Sequence, residues 1–244
     1  MKSESMNLAI RLAVVLCYLG VPVQARAQKA QAIEAKLDTV LKFDQALDGN
    51  TPLKDAIEYL SDYVKVQIKV NAAAFKDELM ITAIEDQQVR LPKVIDISLA
   101  SVLEILTRQV SGTYIVQKNF IEIVPKTKPR KETRKPSNRQ KAAEQALSEK
   151  LKAKIKLLDA IPKDTSIEDA FQFLADNQNL NIFVDTLSFN RFPGGKPANQ
   201  RTIELPKLEN VSIQRVLQLM LEAAGGGDFE LCGNLLIIVP EKDK

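Results

Sequence analysis

Apolar residues along this chain alternate between two spacings, and the change from one to the other predicts its elements. Leu53, Ala56, Ile57 and Leu60 fall at i, i+3, i+4 and i+7, as do Ile167, Ala170, Phe171 and Leu174. The same spacing returns at Leu99, Val102, Leu103, Leu106 and at Ile213, Val216, Leu217, Met220. Each set predicts a helix with one buried face. Between them lie short β-rich runs: Val40–Phe43 and Ile155–Leu158, then Val66–Val70 and Leu180–Val184. Two hairpins close the pattern, Tyr114–Val116 with Ile121–Val124 and Phe229–Leu231 with Leu235–Val239, turning at Lys118-Asn119 and Gly233-Asn234.

The two lists are one list written twice. Thr51-Pro52-Leu53-Lys54-Asp55-Ala56 returns 114 positions later as Thr165-Ser166-Ile167-Glu168-Asp169-Ala170. Leu91-Pro92-Lys93 returns as Leu205-Pro206-Lys207, and Ile123-Val124-Pro125 as Ile238-Val239-Pro240. Recurrence in the same order, at an offset of 114 that slips to 115 by the third marker, indicates internal duplication. The expected unit is β-α-β-β-α-β-β, an α+β module with two helices on a small mixed sheet. Helix starts are predicted at Thr51 with Pro52 in the first turn, at a Thr165/Glu168 capping box, and at Ser98 and Ser212. The second helices are expected to stop at Gly112 and Gly225.

Charge divides the chain in three. Residues 126–156 carry a net +9, whereas 37–125 net −4 and 157–244 net −5. The organisation read from this is a first module at 37–125, a basic linker at 126–150 and a second module at 151–244. Pro129 and Pro136 with no large apolar neighbour predict that the first half of the linker, Lys126 to Lys141, is extended, with a helical pattern from Lys141, and that the modules move independently.

Residues 1–27 read as a signal peptide. Lys2 and Arg11 precede an apolar core from Leu12 to about Val23, and Ala25-Arg26-Ala27 supplies the small residues of a cleavage site before Gln28. The core is short of the ~20 residues that span a bilayer. Export into the periplasm is the expectation, with an uncleaved anchor as the alternative. Cleavage would remove Cys17 and leave Cys232 as a lone thiol, read as a buried apolar residue in its strand.

The chemistry available is narrow. No His is present, which excludes Ser-His-Asp and Cys-His pairs, a His base and His-ligated metal. No cofactor, metal or catalytic residue is assigned. A carboxylate hydrolase is the least favoured reading. Its best residue is Asp185, near Arg191 and the Pro193–Pro197 loop, which has no Walker spacing.

With its capped helices and closing hairpin, the pattern resembles the secretin and TonB short N-terminal domain family. The residues that carry the likeness are Phe43-Asp44, Thr51 to Ile57 with Leu60, Ser98-Leu99, Val102-Leu103, Leu106, Tyr114 and Ile121–Val124. Leu158-Asp159 through Val239 repeat them. The resemblance implies a periplasmic protein-interaction module and no catalytic residues. The expected function is thus a non-enzymatic envelope adaptor. Its partners would be envelope proteins such as secretin or receptor subunits, or further copies of itself, with no nucleic acid expected.

Three surfaces are candidates for contact. Phe189, Arg191 and Phe192 lie in the long polar excursion of the second copy, either as an exposed aromatic patch or tucked in as a local lid. Phe120 and Glu122 belong to the closing strand of the first copy, either an open sheet edge or an internal strand. Lys128, Arg130, Lys131, Arg134, Lys135 and Arg139 form the basic linker, either a solvated spacer or a grip for a polyanion.

Overall fold

The computed structural model describes residues 33–43, 47–127, 136–157, 159–193 and 195–241. The expected signal peptide and five of the basic-linker candidates, Arg130, Lys131, Arg134, Lys135 and Lys128, lie outside them. The fold is mixed α+β, with small two- and three-stranded sheets. No helix among the described residues is long and apolar enough to cross a membrane.

In the first half, β1 (Val40–Phe43) and β2 (Leu47–Pro52) lead into α1 (Leu53–Val64), then β3 (Ile68–Val70) and α2 (Ala72–Leu79). β4 (Gln88–Leu91), β5 (Val94–Ser98), α3 (Leu99–Gln109) and the hairpin β6 (Gly112–Val116) and β7 (Ile121–Pro125) follow. β3 runs parallel to β7, and β6 pairs with β7 from the other side. β1 pairs with β5 and β2 with β4, both antiparallel and both bulged.

The second half opens with α4 (Asn138–Leu151), then β8 (Lys154–Leu157), β9 (Ile161–Ser166), α5 (Ile167–Gln178), β10 (Asn181–Val184) and α6 (Thr186–Arg191). β11 (Thr202–Leu205), β12 (Leu208–Ser212), α7 (Ile213–Ala223), β13 (Asp228–Cys232) and β14 (Leu235–Val239) complete it. β14 lies between parallel β10 and antiparallel β13.

The four helices expected from apolar spacing, α1, α3, α5 and α7, bury the faces read from the sequence: Leu53, Ala56, Ile57 and Leu60 in α1, for example, and Ile213, Val216, Leu217 and Met220 in α7. Ser98 and Ser212 are N-caps, their hydroxyls accepting from the Ser101 and Arg215 amides.

Several expectations need correcting. Thr51 and Pro52 belong to β2, and α1 starts at Leu53 without a side-chain cap. The cap of α5 is Ser166, bonding the Asp169 amide, and not the Thr165/Glu168 box. α3 stops at Gln109, while Gly112 opens β6, where an added Cβ would lie 3.2 Å from the Val124 carbonyl. The first hairpin does turn at Lys118-Asn119, inside a bond from the Gln117 amide to the Phe120 carbonyl. The β-α-β-β-α-β-β outline omits β2, α2 and β5 in the first half and β9, α6 and β12 in the second. These pieces are too short or too polar for periodicity to register.

The halves are also not independent. Phe183, Leu235, Ile237 and Val239 belong to one continuous apolar core with Leu53, Leu99, Leu103 and Ile105 of the first half. Their strand neighbours Ile182, Val184, Leu236 and Ile238 face the second half's own core. β14 is therefore buried on both faces, which is why it reads as an unbroken apolar run.

Candidate interaction site at the joint between the halves

The joint is built from side chains that satisfy the other half's backbone and charges. Asn181 on β10 accepts from the Ile95 amide at 2.9 Å and donates to the Ile95 carbonyl at 2.8 Å. Asn234 donates to the Asp96 carbonyl at 2.6 Å. Ser101 on α3, fully buried, donates to the Cys232 carbonyl at 2.9 Å. Burial first, and the Glu104 charge second, push the Cys232 thiol up to about 11.

Arg108 on α3 is the electrostatic centre. It reaches Glu104 at 2.8 Å on its own helix, and Asp185 at 3.3 Å and Glu230 at 2.7 Å across the joint. Burial pulls its pKa down, but the Glu104 charge and the Glu230 hydrogen bond outweigh that, and the net direction is up. The guanidinium is held ionised among three carboxylates, a geometry that suits Arg and not Lys.

Beside this centre runs a cleft shared by both halves. An Arg90–Glu168 ion pair bridges it. On one side is a cavity of about 310 Å³ with Leu91, Phe171, Ile182 and Phe183 among its walls. The other side holds about 350 Å³ lined by Gln88, Gln109, Asn190 and Asn199. Gln109 also donates to the Arg90 carbonyl at 2.7 Å and accepts from its amide at 2.9 Å, holding strand β4 opposite the bulge of β2. A floor with an apolar end and an amide-rich end offers burial to side chains and hydrogen bonds to main chain, the two needs of a bound peptide segment.

The sequence-derived candidates separate on this geometry. Phe189 is fully buried in α6, with Arg201 stacked 4.7 Å from its ring, so the exposed-patch reading fails for it. Arg191 is exposed and donates to the Ser111 hydroxyl of the first half; Phe192 is half-buried. β7 is the internal alternative, paired on both edges, so its main chain cannot accept a further strand. Phe120 sits in the turn under Lys69, 4.9 Å from its ring, and Glu122 accepts from Asn71 and Gln117, both at 2.9 Å. Arg139 is exposed at the start of α4 and lines a separate 220 Å³ hollow with Asp96 and Asn234.

Asp185, the hydrolase candidate, is buried at the start of α6. It caps α6 through the Ser188 amide and hydroxyl and pairs with Arg108. No group of three or more His, Cys, Asp or Glu able to hold a metal occurs among the described residues. Sequence reasoning missed Arg90, Arg108, Asn181 and Glu168 as joint residues. The one available signal was the apolar run Leu235–Val239, whose partner face is nowhere marked in the sequence.

No family model, no curated protein and no solved structure matches this chain.

Proposed function

We propose that this chain is an exported, non-enzymatic adaptor of the cell envelope. It consists of two modules of one design, resembling the secretin and TonB short N-terminal domain family, which together hold a segment of an envelope protein in the cleft between them. Association with a secretin-type or TonB-type system is the setting that the resemblance implies, in the periplasm.

The duplication is supported by local geometry that recurs at the sequence offset of 114. Left-handed backbone occurs at Lys65 and Asn179, and again at Asp96 and Asn210. Asn71 and Asp185 cap the short helices α2 and α6, and Phe75 and Phe189 are the fully buried aromatics of those helices. A side chain other than Gly pays for left-handed backbone, so such positions do not recur by propensity alone.

The observation that carries the adaptor reading is the cleft bridged by Arg90 and Glu168, since neither half alone supplies both walls. Two covalently joined modules that also share a core present a preorganised groove, which lowers the ordering cost of binding.

A photoreactive residue placed at Gln172 or Asn199, in the cleft walls, is expected to give one discrete cross-linked partner in intact cells. The same residue at Met80, which is highly exposed and away from the cleft, is expected to give none. Equal yields at Met80 and the cleft, or no product anywhere, would end the proposal.

A further inference from the structure

The joint between the halves is heterologous: the α3 side of one half meets the outer sheet face of the other. In a tandem of equivalent modules such a joint leaves both mates unpaired, one at each end of the chain. The α7 side of the second half and the outer face of the β3-β7-β6 sheet could then continue the stack into the next molecule, because a heterologous contact that does not close on itself propagates.

Both ends are altered in the same direction. Resting on the tandem reading above, we infer that the chain is a closed two-module stack, whose end surfaces carry charges that forbid the addition of a further copy. On the sheet side, Phe183 and Ile237 of the joint correspond to Lys69 and Glu122, and Leu235 corresponds to Phe120. Those groups are satisfied in place: Lys69 lies over Phe120, and Glu122 accepts from Asn71 and Gln117.

On the helix side, the fully buried Ser101 corresponds to Arg215, and Arg108 corresponds to Glu222. Arg215 and Glu222 pair with each other at 3.0 Å on the exposed face of α7. The sign at the Arg108 position is reversed, and Asp185 and Glu230 of the joint correspond to Asn71 and Ile115 at the sheet end, so neither of the Arg108 ion pairs that cross the joint could form between two copies.

Docking one end on another would strip water from Lys69, Glu122, Arg215 and Glu222 while breaking their present partners. Desolvating charges without new compensation costs several kcal/mol per ion. Terminal units of stacked-repeat proteins solve the same problem with a polar outer face. The apolar run of β14 beside the Ile121, Glu122, Ile123 of β7 is the same contrast written in sequence: one strand is apolar on both faces, the other carries a carboxylate on its outer face.

Restoring the joint's residues at the ends tests this. One variant carries Lys69→Phe, Asn71→Asp and Glu122→Ile; a second carries Arg215→Ser and Glu222→Arg. Asn71→Asp keeps a capping oxygen for α2, as Asp185 does for α6.

By sedimentation equilibrium the parent protein is expected to stay monomeric at every attainable concentration. The two variants are each expected to be predominantly monomeric and to double their mass when mixed. Far-ultraviolet circular dichroism of each variant checks that it is folded. Self-association of the parent, or folded variants that stay monomeric when mixed, would overturn the inference.

A Phe183→Asp variant separates this from the reading beneath it. An increased radius of gyration by X-ray scattering is expected as the joint opens. An unchanged radius would remove the joint as a docking surface, and with it both the two-walled cleft and the closure.

Discussion

Asn181 and Ile95 are 86 positions apart, yet the Asn181 side-chain amide meets the Ile95 backbone as a neighbouring strand would, giving one hydrogen bond and taking one. The amide substitutes for a peptide group at a bulge where β5 turns away from β1. Gln109 repeats the device within the first half, at the backbone of Arg90. Bulges leave main-chain groups unpaired, and this protein fills two of them with carboxamides, which present a donor and an acceptor at peptide-like spacing.

Replacing Asn181 with Leu keeps the branched shape and removes both bonds, leaving the Ile95 amide without its acceptor and its carbonyl with only the longer bond from Asn234. The expected loss is about 1–3 kcal/mol, read as a lower urea midpoint with little change in slope. Asn181→Asp keeps only the acceptor and should fall between the two. A midpoint equal to that of the parent in Asn181→Leu would mean that water replaces the amide at no cost.

Arg108 holds three carboxylates, one from its own helix and two from the other half. Its side chain is 16% exposed and that of Asp185 only 3%, so removing the cation strands a carboxylate away from water. Arg108→Met is expected to cost about 3 kcal/mol. Adding Asp185→Asn should recover part of that loss, because the stranded charge is gone while a capping oxygen for α6 remains. Additive losses in this double-mutant cycle would show that the two groups are not coupled.

How much of this was legible in the sequence depends on the period of each element. Helices α1, α3, α5 and α7 and the strands β7 and β14 follow from apolar spacing, and Ser98 and Ser212 were identifiable as caps because a hydroxyl precedes an amphipathic run. The bulged strands β2 and β9 were not, since Asp-Gly-Asn and Pro-Lys-Asp read as loop. Phe189 could be read either as exposed or as tucked in, for a related reason. Its counterpart on the tandem reading is Phe75, and α2 around Phe75 is an Ala-rich stretch whereas α6 is Thr-Leu-Ser-Phe-Asn-Arg, so composition hid a shared helix. The joint residues lay beyond reach because Arg90, Arg108 and Asn181 look like ordinary surface positions until the opposite half covers them.

Arg201 is 4% exposed and is bound by carbonyls rather than by a carboxylate. It donates to Lys196 at 2.8 Å, Ala224 at 3.0 Å and Gly226 at 2.9 Å, and stacks on Phe189. Burial lowers its pKa, and the negative end of α7 compensates the retained charge. Arg201→Lys should rescue little relative to Arg201→Met, because a single ammonium cannot reach carbonyls on both loops. Each is expected to lose about 2 kcal/mol, measured by thermal melting. Full stability in Arg201→Lys would show that charge alone suffices there.

Cys232 links the joint to pH. Its pKa rises from an ordinary 9.0 to about 11, mainly because the folded protein buries it. A group whose folded pKa lies above its unfolded value resists ionisation in the native state. Its contribution is therefore fully present below about pH 9, and it is lost as pH rises toward 11 and the unfolded chain gains a thiolate that the folded chain refuses. Urea midpoints measured from pH 8 to 11 should decline more steeply in the parent than in Cys232→Ala, even though the variant starts lower from its lost packing. Alkylation by iodoacetamide at pH 8 should likewise be slow in the folded protein and become fast in urea. Rapid native alkylation, or parallel pH profiles for the two proteins, would show that the thiol reaches solvent and that the Cys232 edge of the joint opens.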